Sequence, residues 1–267
     1  MIASPVLAQT RSTDKSQFTL LNPTPAGLMR EMRTDRPDST ESPYTVDAGH
    51  LQIESSVLEY GRDDSDELTQ TYSILPSNLR LGLTNNLEVA LNFQPLVMQR
   101  ISNGSVDSTS GFGFTELRLK ANIWGNDDGD TSFGIMPIVR LPTGPDVIGT
   151  DEVEPGIIAA LAVKLTEELD LGFMAEVDFV RGPDDPSYET EFLHTITLGF
   201  PIVGELSGFI EYAGVATTAS GSGYAAFFDT GVTYALTENI QLDGGVNIGL
   251  TDDAEDLTLF TGVSVRL

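Results

Sequence analysis

A two-residue alternation of apolar and polar side chains dominates this sequence from about Ala48 to its last residue, Leu267. The stretch Asn239–Leu250, NIQLDGGVNIGL, shows it plainly. One face carries Ile240, Leu242, Val246, Ile248 and Leu250, and the other carries Gln241, Asp243, Gly245, Asn247 and Gly249. A period of two predicts an extended strand with one apolar face, because successive side chains point to opposite sides. That face must contact either a protein core or lipid.

The alternation recurs often enough to predict an all-β domain over residues 48–267, with no convincing helix. Twelve strands are predicted, at 48–60, 69–82, 87–101, 110–123, 131–142, 155–165, 169–180, 188–201, 204–215, 224–236, 239–250 and 256–267. Residues 9–47 have no such period and are rich in Pro, Ser, Thr and Asp, which predicts an irregular N-terminal arm.

The predicted connections alternate between long and short along the chain. The short ones are 83–86, 125–130, 166–168, 202–203 and 237–238. The longer ones, rich in Asp, Glu, Gly, Pro and Ser, are 61–68, 102–109, 143–154, 181–187, 216–223 and 251–255. An up-and-down meander with tight turns at one rim produces this order. Membrane barrels of the bacterial outer membrane have an even strand number, short periplasmic turns and longer external loops.

Strand length and face chemistry favour lipid over a soluble core. The predicted strands run to about twelve residues, whereas a tilted membrane strand needs about 9–11 and a soluble strand about 5–6. Their apolar faces carry no charge, and aromatic residues lie near both strand ends. The sequence therefore predicts a single closed antiparallel up-and-down transmembrane β-barrel in the outer membrane of a Gram-negative bacterium. A soluble secreted β-protein is the alternative from another class.

The position of a residue in this alternation, here called its parity, also predicts which charged side chains face the inside of the barrel. Ten acidic and six basic residues are assigned to the lumen: Glu54, Arg80, Glu88, Glu116, Arg118, Lys120, Arg140, Lys164, Asp170, Glu176, Asp178, Glu205, Glu211, Asp229, Asp243 and Arg266. Twelve strands enclose a lumen between the side-chain-filled eight-stranded barrel and the open pore of sixteen. We expect a narrow, partly occluded channel that prefers cations if it is open.

Composition excludes several other functions. The net charge of −26 argues against nucleic-acid binding, and the absence of cysteine excludes thiol chemistry and disulfides. With two histidines, His50 and His194, no multi-histidine metal centre is possible. A barrel lipase would need a nucleophile beside its base, and the residue two after His194 on the same face is Ile196. We therefore predict no enzyme activity, no cofactor and no metal site, with outer-membrane lipid and a small solute as partners of a monomer.

Two N-terminal segments, residues 1–8 and residues 9–47, each allow two interpretations. Residues 1–8, MIASPVLA, are similar to the end of an export signal, and an ordinary N-terminal tail is the alternative. The arm, residues 9–47, either is a loose tail or folds into the barrel as a plug. In the second case Arg36 would meet the acidic surplus of the lumen.

The start of the domain resembles a known bacterial family. The stretch TDRPDSTESPYTVDAGHLQIE, residues 34–54, is similar to the opening motif of the meta-pathway phenol degradation family of outer-membrane transporter β-barrels. The matching positions are Thr34, Asp35, Arg36, Pro37, Asp38, Ala48, Gly49, His50, Gln52 and Glu54, and Leu141–Gly144 is similar too. The resemblance implies an outer-membrane barrel and adds no catalytic residue.

The function predicted from these observations is an outer-membrane channel or transporter for a small solute. The family resemblance suggests a hydrophobic or aromatic solute. A plugged structural or binding barrel without transport is the alternative within the same fold.

Overall fold

The structure is a computed structural model that describes residues 14–65, 67–144, 148–149, 152–181, 187–219 and 223–267. The predicted signal remnant, residues 1–8, lies outside the described residues. Within these described ranges, a 3-10 turn at Ala26–Leu28 is followed by fifteen strands. They are β1 Leu51–Asp63, β2 Leu68–Ile74, β3 Ser77–Thr84, β4 Leu87–Phe93, β5 Leu96–Asn103, β6 Ser105–Gly111, β7 Thr115–Trp124, β8 Thr131–Leu141, β9 Glu154–Lys164, β10 Asp170–Arg181, β11 Tyr188–Val203, β12 Leu206–Thr217, β13 Tyr224–Thr237, β14 Ile240–Gly249 and β15 Leu257–Arg266.

The strands form one closed antiparallel barrel, as predicted. Each strand from β8 to β15 pairs with its sequence neighbours, and β15 returns to pair with β1 from Gln52–Arg266 to Arg62–Leu257. On its other edge β1 pairs first with β3 and then with β2. Three pairs of consecutive segments each share one position around the barrel: β2 with β3, β4 with β5, and β6 with β7. The fifteen segments therefore make twelve barrel positions.

Three predicted strands, 69–82, 87–101 and 110–123, were wrong as continuous elements. Each is interrupted midway: at Leu75–Pro76, at Gln94–Pro95 and at residues 112–114. Proline has no N–H to donate to a sheet ladder, and Leu75 adopts a positive φ of 55°. The segments β2, β5 and β6 form a small sheet beside the second half of β1. Among the described strands, β6 has no second neighbour.

The predicted long connection at 102–109 was also wrong. Strands β5 and β6 pair from Val97–Gly111 to Asn103–Ser105, so Gly104 is the tip of a tight hairpin. Gly104 has a φ of +68°, a conformation that residues with a side chain rarely adopt. The remaining connections follow the predicted order, and we call the two ends of the barrel the short-turn rim and the long-loop rim.

The outer wall is apolar and carries aromatic residues near both rims. Near the long-loop rim the rings of Tyr60 and Tyr72 lie 5.0 Å apart, and near the short-turn rim those of Trp124 and Phe133 lie 4.8 Å apart. Leu117, on β7, is exposed like its outward neighbours. This distribution is typical of a barrel wall in contact with lipid. Within the described ranges, no helix has the length and apolar character needed to cross a membrane.

The interior holds most of the buried charge and one apolar cluster. Among the described residues, Arg80 and Lys120 are the largest fully buried side chains. The apolar cluster faces inward from β8, β9 and β10, and consists of Met136, Ile138, Ile158, Ala160 and Met174. Sequence parity assigned charged residues to the lumen and missed this apolar stretch of its wall.

Candidate functional site

Residues 30–47, here called the lumen loop, enter the barrel from the short-turn rim and return to it. Arg30 donates to the carbonyl oxygens of Thr45 (3.0 Å) and Asn85 (3.2 Å), and Asn85 belongs to the β3–β4 turn. Between those ends, Thr40 lies within 2.6 Å of Thr195 on β11. The arm is therefore ordered over these residues and occupies the lumen.

The first anchor of the lumen loop is a buried charge cluster around Arg80. Its guanidinium lies 2.7 Å from Glu54, 2.8 Å from Glu88 and 3.2 Å from Asp35. Lys120 approaches the other oxygen of Asp35 at 2.6 Å. All five side chains are at most 5% exposed. Buried ions are tolerated only when paired and hydrogen-bonded, and here Asp35 of the arm is one of the required partners.

The second anchor is Arg36, which binds β14, three barrel positions away from β3, the strand that carries Arg80. Its Nη2 and Nε lie 2.7 and 3.3 Å from the two carboxylate oxygens of Asp243, a bidentate pair. Its Nη1 donates to Ser56, and its guanidinium lies 5.7 Å above the ring of Phe260. A Cβ at Gly262 would lie 2.5 Å from Arg36 Nη2, so the absence of a side chain there makes room for the arginine.

The third anchor is a carboxylate of the wall that accepts backbone hydrogen bonds. Glu211 on β12 accepts from the amides of Ser39 (2.8 Å) and Thr40 (2.9 Å) and from the Thr40 hydroxyl. Asp229 lies directly opposite Glu211 on β13, and Ser39 Oγ lies 3.4 Å from it. No basic side chain pairs with Glu211 or Asp229 among the described residues.

Wall carboxylates bind the arm in the same way at other places. Glu54 accepts from the amides of Asp35 and Arg36 at 2.9 and 3.1 Å, and Glu88 accepts from that of Val46 at 2.6 Å. An extended loop without a sheet partner needs acceptors for its N–H groups when buried. Three carboxylates of the lumen, those of Glu54, Glu88 and Glu211, are therefore used to hold the backbone of the arm.

The predicted lumen residues divide into two groups by height in the barrel. Buried or half-buried inside are Glu54, Arg80, Glu88, Glu116, Arg118, Lys120, Arg140, Glu176, Asp178, Glu211, Asp229, Asp243 and Arg266. Glu41 of the arm pairs with Arg118, and Arg140 connects Glu116 (3.0 Å) to Glu176 (3.1 Å).

Three predicted lumen residues are exposed at the short-turn rim. Lys164 and Asp170 end and begin their strands there, and Glu205 lies in the β11–β12 turn and on no strand, which corrects its assignment. Parity predicts the face of a residue and not its height, which explains why these three differ from the rest.

Part of the lumen remains open beside the lumen loop. A cavity of about 600 Å³ lies between the loop and strands β9 to β13, and reaches the short-turn rim. Small residues such as Ala162, Gly172 and Gly199 form its wall, and the rings of Tyr44 and Phe209 line it. Lys164, Asp170 and Glu205 lie at its mouth. Volume of this size accommodates a small organic molecule.

The two histidines have different surroundings in the described structure. The His50 ring nitrogens lie 2.7 Å from the Thr24 carbonyl and 3.0 Å from that of Leu267, so His50 connects the arm with the end of β15. His194 faces outward, with its Nε2 3.0 Å from the Tyr224 hydroxyl. Among the described residues no group of His, Asp and Glu is arranged to hold a metal ion.

Comparison with known proteins identifies the family. The family described as "Putative MetA-pathway of phenol degradation" matches residues 34–267. The chain belongs to this family. The predicted family resemblance is thereby confirmed.

The fold of this family member is similar to that of solved outer-membrane barrels. An outer membrane channel from Pseudomonas putida F1 has a TM-score of 0.65 and 14% identity, with 88% of this chain and 100% of that chain covered. The NanC porin has a TM-score of 0.55 and 12% identity, covering 81% of this chain and 100% of that chain. The translocator domain of the autotransporter NalP from Neisseria meningitidis has a TM-score of 0.50 and 12% identity, over 82% of this chain and 88% of that one. No curated protein matches the chain significantly.

The family-like motif now has a structural explanation for most of its residues. Asp35, Arg36 and Glu54 bind one another and the wall, as described above. Pro37 and Asp38 line the cavity. A Cβ at Gly49, which has a φ of +78°, would lie 2.7 Å from Pro23, and His50 makes the contacts to Thr24 and Leu267. Most residues of the motif therefore attach the lumen loop and the start of β1 to the barrel.

Proposed function

We propose that this family member is an outer-membrane channel for a small solute with an apolar or aromatic body, and that the lumen loop gates it. The single observation that carries the proposal is the cavity of about 600 Å³ beside the loop. A loop that served only as a structural plug would not need to leave a cavity with apolar and polar side chains beside it. In the bacterial outer membrane the short-turn rim faces the periplasm, so the cavity is the inner part of the path.

The lining of the cavity supports a solute of this chemistry. Phe209 and Tyr44 offer ring faces, and Thr197, Ser207 and Thr233 offer hydroxyl groups. Binding sites for small molecules commonly combine apolar walls with a few polar groups that orient the ligand. The charged residues at the mouth, Lys164, Asp170 and Glu205, are exposed to water and would not contact the apolar body of a solute held deeper.

Blockage of ion current tests this proposal. The full-length protein is inserted in a planar bilayer, and phenol is added on the short-turn side. We expect transient current blocks that become rarer in Phe209→Ala, because the inward ring is lost. The matched control is Ile210→Ala on the outward face of the same strand. Phenol should block its current as often as it blocks that of the unaltered protein. A conducting protein that phenol never blocks, or equal blocks in both variants, would contradict the proposal.

A plugged barrel without transport is a second candidate, because many groups of the wall bind the lumen loop. They are the carboxylates of Glu54, Glu88, Glu211 and Asp243 and the basic side chains of Arg80, Lys120 and Arg118. It predicts no conductance in the unaltered protein and none after the Arg36 substitution described below.

A further inference from the structure

One patch of the outer wall near the long-loop rim carries two basic side chains, Arg62 and Arg100. Glu59 faces inward, since its carboxylate lies 3.7 Å from Arg36 of the lumen loop. Its neighbour Tyr60 and the next residue but one, Arg62, therefore face outward. Cross-strand partners share a face, and the registers continue these two rows across the small upper sheet. The aromatic row is Tyr60, Tyr72, Met98 and Ser110, and the polar row is Arg62, Gln70, Arg100 and Ser108.

The two rows lie at successive heights on the wall. Below the aromatic row, toward the membrane centre, the same face carries Leu58, Ile74 and Leu96. Each step of two residues rises about 7 Å along a strand. Apolar, aromatic and basic side chains thus follow one another toward the long-loop rim, which is the order of acyl chains, interface and headgroups in a lipid leaflet.

Arg100 is the part of this patch that has no explanation within the described protein. Its side chain is exposed and makes no hydrogen bond, ion pair or ring contact with any described residue. Other outward arginines do have partners: Arg62 lies 2.9 Å from Asp64, and Arg181 lies 2.9 Å from Glu152 and above the ring of Tyr188. A cation without a partner among the described residues, on the wall of a protein with a net charge of −26, is complementary to an external anion.

A groove beside Arg100 supplies the second, independent observation. It has a volume of about 360 Å³ and is lined by Tyr72, Met98, Arg100, Ser108 and Ser110 together with the strand residues Gln99 and Thr109. Its apolar end, at Tyr72 and Met98, lies on the membrane side of Arg100. Such a groove can accept a segment of acyl chain while Arg100 and the Ser108 hydroxyl bind a phosphate at the headgroup level.

We propose that this groove is a binding site for a phosphorylated lipid of the outer leaflet. The acyl chain contacts Tyr72 and Met98, and the phosphate is bound by Arg100. Basic residues just outside the hydrocarbon region bind anionic headgroups by this arrangement. The site lies outside the lumen and does not depend on the transport proposed above.

The experiment is a titration of the purified full-length protein in detergent with diphosphorylated lipid A, read by native mass spectrometry. We expect Arg100→Gln to lower the affinity about fivefold, the effect of losing one arginine at a charged lipid surface. The matched control is Arg181→Gln, an outward arginine near the same rim that already has a protein partner, and it should bind as the unaltered protein does. Heat-modifiable migration on gels verifies that each variant is folded.

Two further probes decide between lipid and other ligands. The unaltered protein should bind lipid A without phosphates more weakly than diphosphorylated lipid A. Lipid A without phosphates should bind to the unaltered protein and to Arg100→Gln with equal affinity. Met98→Ser should weaken the binding of both lipid forms. Equal affinity of Arg100→Gln and the unaltered protein for diphosphorylated lipid A would overturn the proposal. Displacement of the lipid by inorganic phosphate at equal concentration would overturn it too, because the site would then bind a free anion.

Discussion

The lumen loop contacts two arcs of the barrel wall that differ in their charge balance. On one arc, formed by β14, β15, β1, β3, β4, β7 and β8, carboxylates and basic groups compensate one another, as in the Arg80 cluster and the Arg36–Asp243 pair. On the other arc, formed by β9 to β13, Glu211 and Asp229 hold the loop without a basic partner among the described residues, and the cavity lies here. We call them the paired arc and the acidic arc.

The difference indicates how the loop could move. Ion pairs in the paired arc are buried and expensive to separate. The acidic arc holds the loop through hydrogen bonds from Ser39 and Thr40 beside an existing cavity. We therefore expect the paired arc to determine whether the barrel is stable and the loop attached, and the acidic arc to determine how easily the loop yields to a solute.

The largest expected effect is that of Arg80→Met. Glu54, Glu88 and Asp35 would lose their common cation while remaining buried, at a cost of about 3–5 kcal/mol. The folded band on unheated gels should disappear at a clearly lower temperature than in the unaltered protein. The control is Arg62→Met on the exposed outer face, for which we expect a change within about 0.5 kcal/mol. Equal stability of both variants would show that the Arg80 cluster does not hold the paired arc together.

Next in size is Arg36→Gln, which removes the bidentate pair with Asp243. Hydrogen bonds between charged groups contribute about 1.5–3 kcal/mol, so docking of the loop should weaken roughly tenfold or more. Single-channel recordings should show a longer open time.

Arg36→Lys is the matched variant for this test. Lysine keeps the charge and loses the forked geometry, so we expect an intermediate open time. If both variants gate like the unaltered protein, Arg36 has no part in gating and the two arcs contribute alike.

A smaller effect concerns the pH dependence of the acidic arc. Burial raises the pKa of Asp38, and the nearby Glu211 carboxylate raises it further, while a hydrogen bond from Thr197 opposes both. The groups around Asp38 are Glu41 on the arm, Thr197 on β11 and Glu211 on β12, with Asp229 opposite Glu211 on β13. An acid whose pKa is raised on docking stabilises the docked loop at low pH, and this stabilisation is lost as the pH rises through the raised value.

The measurement is open time as a function of pH. In the unaltered protein we expect it to lengthen as the pH rises above the ordinary range of a carboxyl group. Asn cannot ionise, so Asp38→Asn should remove most of this dependence. The same pH profile in both proteins would assign the titration to another group.

The smallest expected effect is an ion preference at the mouth of the cavity. Glu167, Glu168, Asp170 and Glu205 outnumber Arg33 and Lys164 there, so an open channel should prefer cations at low salt. The preference should weaken at 1 M salt, where the screening length is about 3 Å. Asp170→Asn should reduce it slightly, and Asp128→Asn, in a turn outside the lining, should not. Anion preference at low salt would show that the acidic residues at the mouth do not determine the ion preference.

The sequence alone predicted the barrel and the faces of its strands. A strict period of two determines which side chains share a face, and strand length together with uncharged outer faces indicates lipid contact. The period predicted an inward position for residues as distant as Glu54, Arg80 and Glu211, and these three side chains are buried in the structure. The motif at Asp35–Asp38 indicated the family, and the choice between plug and tail stayed open.

Tertiary structure decided the heights, the partners and the interruptions. Parity cannot distinguish the buried Glu211 from the exposed Lys164, because both are inward and differ only in their distance from the rim. Pro76 and Pro95 lie within patterns that read as continuous strands, and only the pairing of β1 with β2 and β3 in turn shows that the chain bends there. That carboxylates of the wall bind N–H groups of the arm follows from no local pattern, since these bonds join residues as far apart as Ser39 and Glu211.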